Sequence, residues 1–213
     1  MLEGDKNNYK VDEQNKIYIV GGRGVGKTSL LCQIQSGKFS EKITPSAVGI
    51  IKSKYINGKG EFTLKDFTDD DSFTTTNKLK DDLEDALLIF VLIALDDPKS
   101  FEYAKTLIQF IKNNLISNKE LTMVLLGNKY DLVEQNQSEK KVEKREIDNY
   151  IHNIDNLYYY NISCKTNLNI DKIKELIDSI EIEEDKDDED DKIPEEERKE
   201  KVEIAKENSC FIY

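Results

Sequence analysis

The chain has 213 residues, three cysteines and a formal net charge of −12. That length suits one domain of ordinary size plus a tail, and a core of that size needs no disulfide or metal staple. Fifteen acids against six bases lie from Glu181 onward, a net of −9 that leaves the body near −3, so no basic face for nucleic acid is expected.

Residues 1–15 read as a polar N-terminal leader, without the apolar centre of a signal peptide. Ile17–Val20 is the first expected strand. It runs into Gly21-Gly22-Arg23-Gly24-Val25-Gly26-Lys27-Thr28, and a helical pattern from Ser29 to Ile34 follows, ended by Ser36-Gly37. Residues 38–46 form a polar loop containing Pro45. Alternation through Val48, Ile50, Lys52, Lys54 and Ile56 predicts a half-exposed strand, Asn57-Gly58 a hairpin, and Glu61–Asp66 an antiparallel return. Phe67–Thr76 reads as an acidic loop and Asn77–Leu83 as a short helix. Ala86–Leu95 is a continuous apolar run, the mark of a parallel strand covered on both faces and too short to cross a bilayer. Asp97-Pro98 opens a helix with Phe101, Ala104, Leu107, Ile108 and Ile111 at helical spacing. Leu121–Leu126 is a further buried strand, Asn128–Asp131 a loop, and 134–144 a polar loop leading into a helix over Lys144–His152. Leu157–Ile162 is the last strand, Ser163–Thr166 a loop and Leu168–Ile180 an amphipathic helix.

The alternation predicts an α/β fold: a six-stranded, mostly parallel sheet with one antiparallel edge strand and helices on both faces. Ligands of such sheets bind at the carboxyl ends of the strands. The domain is expected over 16–180. Segment 181–213 is expected to be an acidic, disordered tail.

Three loops at that edge carry chemistry. The first is G-x-x-x-x-G-K-T, the phosphate loop. Its glycines let backbone N–H groups crowd a phosphate, and the helix start behind them favours an anion. Lys27 would reach the β- and γ-phosphates and Thr28 would ligate Mg²⁺. The plain alternative is a glycine-rich turn that binds nothing; the full motif between a strand and a helix outweighs it. The second loop is Asn128-Lys129-Tyr130-Asp131. A carboxylate there can accept from guanine N1–H and the 2-amino group, a donor pair that adenine lacks, so the site would reject adenine. Alone the tetrapeptide is a turn that occurs anywhere; after a buried strand and beside a phosphate loop it gains meaning. The third is Ser163-Cys164-Lys165, where a backbone N–H could meet guanine O6.

With these motifs the sequence resembles the small GTPases of the Ras superfamily over about residues 16–180, and looks most like the Rab branch, whose fourth strand is followed by a segment like Asp96-Asp97-Pro98-Lys99-Ser100-Phe101. The resemblance implies a guanine-nucleotide switch that binds GTP or GDP with Mg²⁺. It carries over Gly21, Gly22, Arg23, Gly24, Val25, Gly26, Lys27, Thr28 and Ser29 as phosphate contacts. Asn128, Lys129, Asp131, Leu132, Ser163, Cys164 and Lys165 become base contacts, and Phe39 the aromatic that packs on the base. It implies Mg²⁺ ligation by Thr28, Ser46 and, through water, Asp66. Lys27, Ser46 and Asp70 stand at the catalytic positions. Phe39 could instead merely cover the core, Ser46 could be a turn serine, and Thr44 is an alternative sensor of the γ-phosphate.

Two departures stand out. The family's D-x-x-G-Q reads Asp66-Phe67-Thr68-Asp69-Asp70, so a carboxylate replaces the glycine that donates to the γ-phosphate and another replaces the glutamine that orients the attacking water. Like charge beside a phosphate is repulsive, increasingly so at low dielectric. Arg23 replaces a small residue; obstruction by a side chain packed on the loop is the favoured reading, against an arginine that lends its charge in cis. Slow GTP hydrolysis is the expectation.

Cys32, Cys164 and Cys210 match no disulfide or metal spacing, which favours a reducing compartment, and Leu2 excludes N-myristoylation. Cys210-Phe211-Ile212-Tyr213 resembles a prenylation box, although the final tyrosine is unusual; a chance cysteine is the alternative. The resemblance implies a monomer that is cytoplasmic or peripheral on the cytoplasmic face of an endomembrane. Its expected partners are effectors, an exchange factor and a GTPase-activating protein. An acidic tail would be repelled by anionic lipid, so a membrane contact would need an escort or a receptor. Two other readings compete: a nucleotide-binding pseudo-GTPase acting as a non-catalytic module, and a P-loop kinase, which would need an arginine-bearing lid from a chain with only Arg23, Arg145 and Arg198.

Overall fold

A computed structural model describes residues 16–41, 50–57, 60–67, 83, 86–114, 121–135 and 142–180, with backbone alone for 50–54, 57 and 60–67. The elements in chain order are β1 (Lys16–Gly21), α1 (Lys27–Ser36), β2 (Ile50–Asn57), β3 (Gly60–Phe67), β4 (Ala86–Ala94), α2 (Pro98–Asn114), β5 (Thr122–Asn128), α3 (Tyr130–Gln135), α4 (Lys144–Ile151), β6 (Leu157–Asn161) and α5 (Ile170–Ser179). The strands form one sheet in the order β2-β3-β1-β4-β5-β6. Every neighbouring pair is parallel except β2 with β3. The expected architecture, antiparallel edge included, is the observed one.

The period of two along the central strands divides the core between the two faces of the sheet. Ile17, Ile19, Phe90, Leu92, Val124 and Leu126 pack with α1 and α5. Tyr18, Val20, Ile89, Val91, Met123 and Leu125 pack with α2 and α4. Each fully buried Leu, Ile or Phe contributes about 1.5–3 kcal/mol, which gives the sheet its rigidity. Tyr55 fastens the edge strand to α5 through its hydroxyl, which donates to Asp178 Oδ1 at 3.1 Å.

Some boundaries differ from expectation. Asn128–Asp131 is not a loop: Asn128 closes β5 and Tyr130–Gln135 is a short helix, leaving Lys129 as the link. The first turn of that helix was hidden because six polar and apolar residues carry no readable helical period. The last helix starts at Ile170, because Leu168 pairs with Ser163 in a bridge that holds it outside. The helix expected over 77–83 lies outside the described residues except for Leu83, which is buried. The leader 1–15, the turn at Gly58, the loop 42–49, the acidic segment 68–76 and the tail 181–213 also lie outside them.

Candidate functional site

The parallel strands bring Gly21, Ala94, Asn128 and Asn161 to one edge of the sheet, where the connecting segments collect. Gly21 leaves β1 at φ 143°, and a side chain there would run into the carbonyl of Leu92 on β4. Gly24 and Gly26 follow at φ 77° and 103°. These three left-handed values curl the chain into a ring just before α1, a conformation that L side chains resist. Lys27 opens the helix and its ammonium turns back into the ring, donating to the carbonyls of Gly21 at 2.9 Å and Gly22 at 3.0 Å. Thr28 and Ser29 follow, half-buried, in the first helical turn.

The base-reading segment is locked to this ring by one side chain. Asn128, 3% exposed, donates Nδ2 to the carbonyl of Val25 at 2.8 Å and accepts at Oδ1 from the Cys164 N–H at 3.1 Å. A side chain at Gly26 would collide with that same Nδ2. Asn128 thus holds all three sequence-predicted loops together. Asp131, 6% exposed, accepts at Oδ1 from the fully buried Ser163 hydroxyl at 2.6 Å. The Ser163 oxygen in turn accepts from the Thr166 N–H at 3.1 Å. The backbone closes the corner: Tyr130 N–H donates to the Ile162 carbonyl at 3.2 Å. Buried polar groups are costly unless they are paired, and these are paired in a connected network.

Lys129 sits at φ 64°, uncommon for a non-glycine residue, and its ammonium meets Asp96 at 3.1 Å. Asp96 belongs to the corner between β4 and α2, and nothing in its sequence context signals that role. Lys165 is paired with Glu41 at 3.3 Å, both well exposed. Phe39 packs, half-buried, against the core face that also holds Cys164. Leu132 is exposed in α3. Burial pushes the Cys164 thiol up to about 12. The sequence reading also passed over Gln33 in α1, which is 2% exposed and donates Nε2 to the Cys164 carbonyl at 2.5 Å. Its one visible signal was an amide set between the apolar Leu30, Leu31 and Ile34.

Other expected positions are less fully placed. Arg23 is exposed on the ring, between Gly22 and Gly24. Asp66 lies in β3 with its backbone beside Ile19 of β1; its side chain is outside the description. Ser46, Thr44, Asp69, Asp70 and Cys210 lie outside the described residues.

The family model for the Ras family matches residues 16–181. The chain belongs to the Ras family. Its relatives include human GTP-binding protein Rhes, 27% identical over 79% of this chain and 62% of that protein. Ras-related protein RabF1 of Dictyostelium discoideum is 29% identical over 74% of this chain and 78% of that protein. Ras-related protein Rab-13 of Bos taurus is 27% identical over 76% of each. The chain therefore spans about three fifths of Rhes and about three quarters of RabF1 and Rab-13. As a Rab-like member of the Ras family it is a small GTPase by descent. The donor set agrees: a glycine ring tipped by Lys27 suits a polyphosphate, and a buried carboxylate facing the same edge suits a base with paired donors. Among the described residues no helix is long and apolar enough to cross a membrane.

Proposed function

We propose that the protein is a Rab-like guanine-nucleotide switch that binds GTP and GDP with Mg²⁺, hydrolyses GTP slowly and recruits effectors in its GTP-loaded form. The observation that carries the reading is the Asn128 knot, which ties the phosphate ring to both base-reading loops through one buried amide. Lys27 exchanges its bonds to Gly21 and Gly22 for phosphate oxygens. Asp131 accepts from guanine, and Phe39, Leu132, Lys129 and Lys165 border the base. Thr28, Ser46 and Asp66 are the residues to hold Mg²⁺, which supplies charge neutralisation between the β- and γ-phosphates. Asp69 lacks the glycine's freedom to swing its N–H to the γ-phosphate and Asp70 lacks the water-orienting amide, so hydrolysis falls below the family's unassisted rate, which for Ras is on the order of 10⁻⁴ per second.

The resemblance to the Rab branch suggests an output in vesicle traffic or signalling, with an exchange factor and effectors as partners and a peripheral endomembrane location. The candidate lipid attachment is a prenyl group on Cys210, tested by detergent partitioning of wild type against Cys210→Ser. Titration of purified, nucleotide-stripped protein in Mg²⁺ with GDP and with ADP tests the core of the reading. Micromolar or tighter GDP with ADP at least about a hundredfold weaker is expected; equal affinities refute it. The segment Asp66–Asp70 also favours a second reading, a pseudo-GTPase that holds nucleotide without turnover. Single-turnover hydrolysis separates the two, and a partner whose binding differs between GDP and a GTP analogue establishes the switch.

A further inference from the structure

We propose that Gln33 is a specificity-positioning residue: from the middle of α1 it aims the Lys165 N–H at the exocyclic oxygen of the bound base. The inference rests on the guanine-nucleotide reading above and assigns a role to a side chain outside the recognised loops.

Gln33 lies in α1, the helix that Lys27 and Thr28 begin, about 9 Å along the axis from Lys27. Its amide is 2% exposed, and Nε2 donates to the Cys164 carbonyl at 2.5 Å. The other end, Oε1, has no hydrogen-bond partner among the described residues. The orientation is fixed by chemistry, since exchanging the two ends would press Oε1 against the Cys164 oxygen. A buried acceptor left unmade is costly. A side chain serving only to fill this part of the core would be better as Leu or Met, so the amide has another task.

That task follows from peptide geometry. In a trans peptide the carbonyl and the N–H point in opposite directions. The carbonyl of Cys164 shares its peptide plane with the N–H of Lys165. Gln33 holds that carbonyl toward α1, so the Lys165 N–H points the other way, away from the helix. The preceding peptide is fixed as well, because the Cys164 N–H is held by Asn128 Oδ1. Of these two amides, that of Cys164 is engaged and that of Lys165 makes no hydrogen bond among the described residues, which leaves the Lys165 N–H as the donor for a base carbonyl. The helix that bears the phosphate-binding lysine therefore also orients the base-reading amide.

The test compares wild type with Gln33→Met, which keeps the volume and removes both the donor and the orphaned acceptor. The probes are GDP, 6-thio-GDP and IDP. The 6-thio base replaces the exocyclic oxygen with a poorer acceptor and keeps N1–H and the 2-amino group. IDP keeps the oxygen and lacks the 2-amino group that Asp131 reads. Wild type is expected to prefer GDP over 6-thio-GDP by about tenfold, consistent with loss of one hydrogen bond. In Gln33→Met that ratio should fall toward one, with the GDP-over-IDP ratio unchanged. A merely structural contact would weaken all three nucleotides in proportion and keep both ratios. Unchanged ratios overturn the inference, as does a wild type that rejects IDP yet binds GDP and 6-thio-GDP equally. Gln33→Leu is the second variant; failure of both to fold would also overturn it, by making the amide a requirement of the core. A wild type that binds no GDP would instead refute the nucleotide reading itself.

Discussion

Asp131→Asn should convert the protein from a guanine binder to a xanthine binder with little loss of fold. The geometry fixes which way the new amide faces. The Ser163 oxygen accepts from Thr166 N–H, so its own proton is available to Asp131 Oδ1, where the bond is 2.6 Å. An asparagine would keep its oxygen on that hydroxyl and turn its NH₂ toward the base. Guanine presents N1–H and a 2-amino group there, so donors would meet donors. Losing two hydrogen bonds to a charged acceptor costs about 3–6 kcal/mol, or about 10²–10⁴ in GDP affinity. Xanthine carries a carbonyl at that carbon and accepts from the new NH₂. The structural cost is limited to weakening one bond from a charged to a neutral acceptor, about 1 kcal/mol, or roughly 2–4 °C in a domain of this size. The assay is competition of GDP and XDP against a fluorescent nucleotide, with a thermal melt alongside. Refutation would be a variant that keeps GDP within about threefold of wild type. Loss of GDP with no gain in XDP would refute the reasoning equally.

Three further outcomes are expected. Gly26→Ala should destabilise the protein and abolish nucleotide binding together, because the new methyl must occupy the place of Asn128 Nδ2 at a φ of 103°; a melt within a few degrees of wild type would contradict this. The Asp69→Gly, Asp70→Gln double variant should raise the single-turnover hydrolysis rate at least about tenfold while leaving GDP affinity nearly unchanged, since those positions follow β3 and not the gripping loops. The Cys164 thiol is held up to about 12 from 9.0, chiefly by burial. The native state therefore favours the protonated thiol. That contribution is intact below pH 9 and is lost as the pH rises from 9 toward 12. Mass spectrometry after alkylation at pH 8 should find Cys164 unmodified until the protein is unfolded.

The sheet was legible because its chemistry is local and periodic. Ala86–Leu95 is a continuous apolar run and Leu121–Leu126 is broken only by Thr122, as suits a strand covered on both faces; their shortness favours strand over helix. The glycine ring was legible because the positive φ values at Gly21, Gly24 and Gly26 favour glycine, and Gly21 and Gly26 have no room for a side chain. The α3 turn was not, because its start is dictated by tertiary contacts: Tyr130 N–H reaches Ile162 and Asp131 reaches Ser163, partners about thirty residues away. The same holds for Gln33, whose partner Cys164 lies 131 residues on. For Arg23 the motif sets the position, on an exposed turn, and not the course of the long side chain.

The residues that would hold a nucleotide and those that would destroy it come from different segments of the chain. Lys27, Asn128, Asp131, Ser163 and Cys164 lie at the ends of β1, β5 and β6 and at the start of α1, fastened to one another by buried hydrogen bonds. Asp69 and Asp70 follow β3 in the chain, and the hydrogen bonds named in the knot join described residues of other segments. A carboxylate at either position can therefore slow the chemistry without loosening the grip, since hydrolysis depends on charge placed at the γ-phosphate and affinity on the ring of amides and the base pocket. A switch of this kind leaves its GTP-bound form chiefly by exchange. On the proposed reading, the lifetime of the bound nucleotide would then govern how long the active state lasts, and the Asn128 knot is the feature that would set it. Departures at Asp69 and Asp70 would shift control of the signal from turnover to loading, and would not in themselves mark a protein that has ceased to signal.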